Sequence, residues 1–452
     1  MNIIVVGCGK VGRTLAEQLV QEGHDISVID IHSSVVEEIS NTYDAFGVVG
    51  NGAIYSTQKE AGVEQANLLI AVTGSDELNL LCCLIARKAG NCKTIARVRN
   101  PVYYEEIGFI KEELGLSMVI NPEYETACEI ARLLRFPSAI DINIFHKGRV
   151  ELLNVKVEEG SILHNLCVKE IHSKLKCDVL ICTVERGKDV IIPNGDFVIQ
   201  EKDIVSIIAP HKKAIEFFTK IGVLHSSVKS TMLIGGGEIS YYLAQILEKS
   251  GVSVKIIEDN RKRCEKLTEL LPKTMVIHGD GTDKDLLLEE GIEEVESFAS
   301  LTGIDEENIL LSLYAQSKSK GKVITKVNRI NFDEVIKSLN LGSVIYPKYI
   351  TMQYILQYVR ARNNSIGSNV ETLYKIKKDK AEALEFYVNE GSNLIGIPLE
   401  KLDLKPNLII CSINRSGKII TPRGQDCIKN GDHVIVVTTN MGLHDLSDIL
   451  RS

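Results

Sequence analysis

The sequence predicts an α/β protein with two doubly wound parallel sheets, each followed by a small α+β domain. Two observations support this fold class. Residues 1–30 contain an apolar run, a glycine-rich turn, a segment of helical periodicity and a second apolar run, which is the order of a strand–helix–strand unit. The same succession returns over residues 231–258, which indicates that the architecture is duplicated.

The first element is a glycine-rich turn between a strand and a helix. Apolar residues 3–6 predict a buried parallel strand, and the sequence G-C-G-K-V-G follows at residues 7–12. A second strand is predicted at residues 26–29 and ends at Asp30. This G-x-G-x-x-G turn, with an acid about twenty residues further on, is the dinucleotide-binding fingerprint of a Rossmann-like sheet in its expected context.

The glycines and the acid have distinct chemical roles. Gly7 lets the chain turn out of the strand, Gly9 leaves room for a pyrophosphate, and Gly12 lets helix and strand pack closely. The phosphates would lie at the helix N-terminus, where unpaired N–H groups and the helix dipole favour an anion. Asp30 would accept hydrogen bonds from ribose hydroxyls and repel a 2′-phosphate, which favours NAD(H) over NADP(H). The alternative is a glycine-rich turn with no ligand.

Composition and charge exclude several classes of protein. The chain has 452 residues, too many for one domain, and its net charge of −8 argues against a nucleic-acid partner. Neither a run of about eighteen apolar residues nor a basic leader occurs, so no membrane span and no secretory signal are predicted. The eleven cysteines form no C-x-x-C pair and no zinc pattern, so we expect reduced thiols, no metal and a cytoplasmic location.

The second half of the chain repeats the first. Residues 231–240 repeat the opening strand and turn, and residues 254–258 repeat the strand that ends at Asp30. The offset is 228 at the first glycine and 229 at the threonine of the T-G-x-D motif. The other matching segments are 49–53 with 278–282, 72–79 with 301–308, and 95–99 with 324–328.

The repeat continues past the glycine-turn units into two smaller domains. An E-G-S sequence at residues 159–161, and again at 390–392, opens a stretch of short strands without a phosphate-binding loop. An amphipathic helix is predicted at the end of each large unit, over residues 124–134 and 349–359, where it packs on its own sheet, crosses between lobes or docks on a neighbour. The predicted domains are 1–138 (large), 139–225 (small), 226–366 (large) and 367–452 (small).

The strand ends of the first large unit define a candidate binding edge. In an open parallel sheet the C-terminal ends of the strands lie along one edge, and ligands bind there. The residues predicted at or just beyond those ends are Gly7, Asp30, Asn51, Thr73 and Arg97.

These duplicated large and small units resemble the TrkA family, the cytosolic NAD-binding regulatory subunits of bacterial and archaeal Trk potassium-uptake systems. The tandem units of that family are called RCK or KTN domains, and the resemblance covers essentially the whole chain. It implies a homo-oligomeric ring, a dimer or tetramer, on the cytoplasmic face of a separate potassium-translocating membrane protein. It also implies that NADH, NAD, ATP or ADP shifts the conformation of the ring and so gates transport.

The resemblance places the first nucleotide site at the glycine turn and the adjacent strand ends. Thr73 and Gly74 would line the sheet edge near the ribose that Asp30 holds. Arg97 would bind a phosphate or, alternatively, form an ion pair between subunits. Asn51 stands where many relatives carry an acid, which leaves the adenine-side contact open. The predicted first site comprises Gly7, Cys8, Gly9, Lys10, Val11, Gly12, Asp30, Asn51, Thr73, Gly74 and Arg97.

The second site departs from the family pattern. Ser240 replaces the third glycine, so helix and strand should pack less closely there. Lys326 and Asn328 replace Arg97 and Arg99, which removes bidentate phosphate recognition. We expect weaker binding or a different nucleotide, the alternative being a purely structural unit. The predicted second site comprises Gly235, Gly236, Gly237, Glu238, Ile239, Glu258, Asp280, Thr302 and Lys326.

No catalytic residue is predicted. A dehydrogenase needs an acid/base group and a substrate anchor, and the ten histidines form no recognisable constellation with Lys or Asp. Two nucleotide units in tandem suit a sensor better than a one-site enzyme, so the sequence predicts a regulatory subunit. The alternatives are an NAD-dependent oxidoreductase and a regulator of another cation channel or antiporter.

Overall fold

A computed structural model describes residues 1–90, 92–135, 141–145, 149–222, 228–328, 336, 339, 341–363, 370–376 and 380–451. In these residues the chain forms two six-stranded and two five-stranded sheets that alternate along the sequence. The predicted fold class is therefore confirmed. The three predicted domain boundaries, after residues 138, 225 and 366, lie outside the described residues and stay predictions.

The first sheet is parallel and covered by helices. Its elements are β1 (Asn2–Val6), α1 (Lys10–Gln21), β2 (Asp25–Asp30), α2 (Ser33–Thr42), β3 (Ala45–Val49), α3 (Tyr55–Glu60), β4 (Leu68–Ala71), α4 (Asp76–Gly90), β5 (Lys93–Arg97), α5 (Pro101–Glu105), α6 (Ile107–Glu113), β6 (Met118–Ile120) and α7 (Pro122–Arg135). The strand order is β3-β2-β1-β4-β5-β6, with every pair parallel. The order reverses between β1 and β4, which is the switch point where open α/β sheets bind ligands.

The first small domain is an antiparallel sheet. Its elements are β7 (Asp141–Phe145), β8 (Val150–Lys156), α8 (Ile171–Leu175), β9 (Leu180–Arg186), β10 (Asp189–Ile191), β11 (Ile204–Pro210) and α9 (His211–Lys220). The strand order is β10-β9-β11-β8-β7, and the strands pair antiparallel.

The second half has the same two sheets. Its parallel sheet comprises β12 (Ser230–Ile234), α10 (Glu238–Lys249), β13 (Ser253–Glu258), α11 (Arg261–Leu270), β14 (Met275–His278), α12 (Lys284–Glu289), β15 (Ser297–Ser300), α13 (Asp305–Lys318), β16 (Lys322–Lys326), β17 (Ser343–Ile345) and α14 (Pro347–Asn363). Its antiparallel sheet comprises β18 (Val370–Ile376), β19 (Ala381–Tyr387), β20 (Leu408–Arg415), β21 (Lys418–Ile420) and β22 (His433–Thr438). The strand orders, β14-β13-β12-β15-β16-β17 and β18-β19-β22-β20-β21, reproduce those of the first half.

The chain divides into two compact units, and each contains residues of both halves. The first unit comprises Met1–Ile130, Met232–Ser319 and Ile324–Leu356, and the second comprises Ala131–Thr231, Lys320–Val323 and Gln357–Ser452. Duplication therefore does not yield two independent halves. Like elements of the two repeats pack together instead.

In the first unit, aromatic side chains join the two repeats. The hydroxyl of Tyr242 on α10 accepts a hydrogen bond of 3.0 Å from the Asn121 amide just before α7. The ring of Tyr242 lies 5.5 Å from Tyr124 and 6.1 Å from Tyr104, centroid to centroid. The start of α7 thus contacts the second repeat, which is the crossing alternative that the sequence left open.

In the second unit, the two antiparallel sheets share one apolar core. The core cluster contains buried side chains of β7, β8 and β11 together with those of β18, β19 and β22. Phe145 is 1% exposed, and its ring lies 5.0 Å from the ring of Tyr374. Across the described part of the chain, no helix combines the length and the apolar character needed to span a membrane.

Candidate functional site

The first glycine turn leaves strand β1 and leads into helix α1. Gly7 has a φ of +91°, and a Cβ there would lie 2.8 Å from the Thr73 backbone, so glycine is required. A Cβ on Gly12 would overlap the carbonyl oxygen of Gly7. Gly9 caps α1 with extended backbone and has open space where a Cβ would be. The turn is therefore packed against the sheet on one side and open to a ligand on the other.

Asp30 holds this turn in place. Its Oδ2 accepts a hydrogen bond of 2.7 Å from the Cys8 amide, and its Oδ1 accepts one of 3.0 Å from the His32 amide. Burial opposes ionisation of the Asp30 carboxyl, but these amide hydrogen bonds and the His32 side chain together lower its pKa. Burial, together with the Asp30 charge, raises the pKa of the Cys8 thiol to about 12, so this thiol is a packing group and not a nucleophile at neutral pH.

A cavity of about 840 Å³ opens at the turn. Its volume lies in the range of small-molecule sites. The structure brings ten of the eleven predicted first-site residues to its wall, namely Gly7, Cys8, Gly9, Lys10, Val11, Asp30, Asn51, Thr73, Gly74 and Arg97. Gly12 is buried behind the turn and does not line the cavity.

Arg97 contributes a partly buried positive charge to the cavity wall. Its Nη2 lies 4.0 Å from Oε1 of Glu123, and the side chain is 16% exposed. Burial lowers the pKa of Arg97 and raises that of Glu123. Nε of Arg97 and Oε2 of Glu123 are buried without a hydrogen-bond partner. Buried polar atoms of this kind indicate a place for a ligand or an ordered water.

Asn79 is a positioning residue that the sequence analysis did not single out. Its Oδ1 accepts from the backbone amide (2.8 Å) and hydroxyl (2.7 Å) of Thr73, and its Nδ2 donates to the Arg97 carbonyl at 2.9 Å. Asn308 repeats the amide and carbonyl contacts at Thr302 and Lys326. The sequence clue to these residues is the T-G-x-D-E-x-N motif, which places an asparagine at the same position in both repeats. Both asparagines are fully buried, and a buried Asn needs several hydrogen-bond partners.

Asn51 and its counterpart Asp280 both fold back on their own loops. Asn51 Oδ1 accepts from the Ala53 amide at 2.9 Å, and Asp280 Oδ1 accepts from the Thr282 amide at 2.8 Å. Hydrogen bonds from Thr282 lower the pKa of Asp280. Both side chains thus shape loops at the sheet edge, one neutral and one charged.

The second repeat also lines the large cavity, which the sequence analysis did not foresee. The loop before α13 and the first residues of α14 face the first glycine turn. No sequence pattern predicts that residues of the second repeat line this cavity, because their position depends on how the two parallel sheets pack. The residues concerned are Gly303, Asp305, Asn328, Pro347, Lys348 and Thr351.

The second glycine turn has the same backbone but a smaller opening. Gly235 has a φ of +92°, and Glu258 Oε2 accepts from the Gly236 amide at 2.6 Å, as Asp30 does in the first turn. The adjacent cavity is about 240 Å³. Of the predicted second-site residues, Gly237, Glu238, Ile239 and Lys326 line it, whereas Gly235, Gly236, Glu258, Asp280 and Thr302 do not.

A side chain of the protein occupies the approach to the second turn. Arg263 on α11 donates from Nε to the carbonyl oxygen of Gly236 at 2.6 Å, and its Nη1 lies 3.3 Å from Oε1 of Glu238. Lys326, the counterpart of Arg97, donates to the Leu301 carbonyl at 3.0 Å, and burial lowers its pKa. The cationic side chains at the second turn therefore bind groups of the protein itself, whereas at the first turn Nε of Arg97 has no hydrogen-bond partner.

One group of potential metal ligands occurs among the described residues, although the sequence predicts none. Ligand atoms of Glu371, Glu385 and His433 lie within 4.8 Å of one another. His433 Nδ1 lies 2.6 Å from Oε2 of Glu371. His433 Nδ1 also lies 3.7 Å from Oε1 of Glu385, so the imidazole contacts both carboxylates, and we assign no ion to the group.

Comparisons with known proteins agree with this architecture. Residues 3–122 and 231–347 match the TrkA-N domain, and residues 152–222 and 383–451 match the TrkA-C domain. The chain is 32% identical over 442 residues to the Trk system potassium uptake protein TrkA of Halomonas elongata, covering 96% of this chain and 95% of that protein. It is 31% identical over 452 residues to the TrkA homolog of Archaeoglobus fulgidus, covering 100% of both.

A solved structure shares the fold. The GsuK channel bound to NAD superposes with a TM-score of 0.63 at 17% identity, covering 97% of this chain and 77% of that one. At this identity the likeness concerns the fold alone.

Proposed function

The chain belongs to the TrkA family, whose two domain types match both of its halves, and on this premise we propose that it is a nucleotide-sensing regulatory subunit of potassium uptake. The observation that carries the proposal is the cavity of about 840 Å³ at the first glycine turn. In this proposal the cavity binds the nucleotide, and the chain gates a separate Trk-type potassium-translocating membrane protein from the cytoplasmic side.

The residues at the turn fit NAD(H), with ATP or ADP as further ligands. The open space at Gly9 admits a pyrophosphate, and the N-terminus of α1 with Lys10 favours its negative charge. Asp30 lines the same cavity, where its negative charge would repel a 2′-phosphate. The predicted site residues, and the four domains 1–138, 139–225, 226–366 and 367–452, are part of this proposal.

Gating by a nucleotide requires several coupled sites. A ligand shifts a conformational equilibrium only by the difference in its affinity for the two states. A tenfold preference supplies about 1.4 kcal/mol per site, whereas inverting a 1:99 population needs about 5.5 kcal/mol. About four coupled sites would suffice, so we propose that the chain assembles into a homo-oligomeric ring, a dimer or tetramer.

Native mass spectrometry of the purified chain, alone and with NADH, tests the nucleotide and the assembly together. A closed oligomer that retains intact NADH is expected. A monomer that binds neither NADH nor ADP would contradict the proposal. Oxidation of NADH with candidate substrates would favour the oxidoreductase alternative instead.

Co-purification tests the partner. A tagged chain expressed in its source organism is expected to co-purify with a potassium-translocating membrane protein after detergent extraction. Recovery of a different cation channel or an antiporter would show that the same domains regulate another transport system.

A further inference from the structure

A lysine of the second repeat faces the first glycine turn. Lys348 is the second residue of α14, and it lines the same cavity as Lys10 at the start of α1. Its Nζ donates a hydrogen bond to the carbonyl oxygen of Asn328. Burial lowers the pKa of Lys348, and the positive charge of Lys10 lowers it further. Two ammonium groups from different repeats therefore face one opening.

The acids of this cavity are already engaged. Asp30 accepts hydrogen bonds from the Cys8 and His32 amides, and Asp305 accepts one of 2.9 Å from the Asn328 amide. Glu123 lies 4.0 Å from Arg97 and also from Arg99.

Lys10, in contrast, forms neither a hydrogen bond nor an ion pair through its ammonium group with any described residue. Together with Arg97, Lys10 and Lys348 are the positive charges in this cavity wall that an anion would neutralise.

The equivalent positions at the second turn carry the opposite charge. Glu238 corresponds to Lys10, and Glu123, in the N-P-E sequence at the start of α7, corresponds to Lys348 in the Y-P-K sequence at the start of α14. Both glutamates line the cavity at the second turn. Glu123 lines the first cavity as well, and Lys326 lines the second, so the contrast lies at Glu238, which places a carboxylate where the first turn has the Lys10 ammonium group.

The second turn also differs in what covers it. Arg263 corresponds to Val35, an apolar residue that lines the open first cavity. At the second turn, the Arg263 guanidinium bonds to the Gly236 carbonyl and pairs with Glu238. An internal ion pair thus lies where phosphates would approach.

We propose that the phosphates of one nucleotide bridge the two repeats at the first glycine turn, held by Lys10 and Lys348, and that the second turn is closed to phosphate by the Arg263–Glu238 pair. The inference rests on the proposed function, since it requires nucleotide binding at the first turn. Each chain then binds one nucleotide, so the four coupled sites that gating requires belong to a tetramer and not to a dimer. Because Lys348 belongs to the second repeat, occupancy of the first turn also fixes that repeat against the first.

Calorimetry with ADP as the probe tests the bridging lysine. Lys348→Gln is expected to bind ADP about tenfold or more weakly than the wild type, because it loses a charge-assisted phosphate contact. Lys348→Arg should retain most of the affinity. The control Lys249→Gln, at an exposed lysine on α10, should bind ADP like the wild type. All variants should unfold at the same temperature without ligand.

The outcomes separate the two proposals. A wild-type chain that binds neither ADP nor NADH contradicts the proposed function itself. A wild type that binds ADP, with unchanged affinity in Lys348→Gln, overturns only the bridging role of the lysine.

Native mass spectrometry with excess ADP tests the closed second turn. One ADP per chain is expected, and Asp30→Ala should lower its occupancy. Two per chain, with Arg263→Ala removing the second, would show that Arg263 binds the phosphate instead of excluding it.

Discussion

The third position of the glycine motif shows how one residue sets the spacing of a turn. A Cβ on Gly12 would overlap the Gly7 carbonyl oxygen, whereas Ser240 fits at the same position and donates its hydroxyl to the Gly235 carbonyl. The second turn is also looser at its first glycine. A Cβ on Gly235 would lie 3.2 Å from Thr302, compared with 2.8 Å at the first turn. The two glycine turns thus differ in spacing at both positions.

Substitutions at the third motif position should therefore lower the free energy of unfolding by different amounts in the two repeats. Gly12→Ala is expected to lower the free energy of unfolding by about 1–3 kcal/mol, because backbone must move to admit the methyl group. Ser240→Ala keeps the Cβ and loses one hydrogen bond, which costs about 1 kcal/mol. Urea titrations of both variants measure the difference. Equal losses would contradict the difference in spacing.

Asp30 combines a structural and a binding role, and two substitutions separate them. Asp30→Ala removes the acceptor of the Cys8 amide, so it should weaken NADH binding and also lower stability by about 1 kcal/mol. Asp30→Asn keeps an oxygen acceptor and removes the charge, so we expect smaller destabilisation with weaker binding. Calorimetry with NADH, alongside thermal unfolding, measures both effects. Unchanged NADH affinity in both variants would show that the ribose does not bind at Asp30.

At the scale of elements, buried asparagines connect the first turn of a helix to two strand ends. Asn79 on α4 bonds to Thr73 after β4 and to Arg97 at the end of β5, and Asn308 on α13 does the same in the second repeat. Both side chains are fully buried. These hydrogen bonds fix the edge of each sheet to a helix in the absence of a ligand, and such preorganisation reduces the entropy lost on binding.

Removing these two asparagines should distinguish the two sites. Asn79→Ala and Asn308→Ala are each expected to cost about 1–3 kcal/mol of stability, since each leaves buried backbone groups unpaired. Only Asn79→Ala should also weaken ADP binding, because Arg97 and Thr73 line the large cavity. Chemical unfolding and calorimetry provide the two readouts. Weaker ADP binding in the Asn308 variant as well would place a nucleotide at the second turn.

At the scale of the whole molecule, the two halves are interlocked. Each compact unit takes residues from both halves, and the small domains share one core in which Phe145 packs on Tyr374. Separating the halves would expose that core to water. The duplication therefore forms a pseudo-dimer within one chain.

A single core substitution tests this dependence. Phe145→Ala is expected to lower the free energy of unfolding by about 3–5 kcal/mol, because it leaves a cavity in the core that the two small domains share. Phe109→Ala is the matched control, since Phe109 is 66% exposed and should cost little. Denaturant unfolding measures both. A small loss at Phe145 would mean that each small domain is stable without the other.

The sequence determined the repeated elements and the identity of the turn residues. Strands, helices and glycine turns depend on local periodicity and backbone conformation, which neighbouring residues impose. The strand-end residues could be assigned to one edge because parallel strands end together. Ten of the eleven predicted first-site residues consequently line one cavity.

The tertiary structure decided what faces each turn. Lys348 and Glu123 each follow the proline that begins their helix, and nothing in their local sequence indicates which glycine turn they approach. Likewise, Arg263 occupies a position on α11 that is apolar in the first repeat, and only packing brings it over the turn. These contacts join residues far apart in the chain, so they follow from how the two repeats fit together. Local propensity carries no information about that fit.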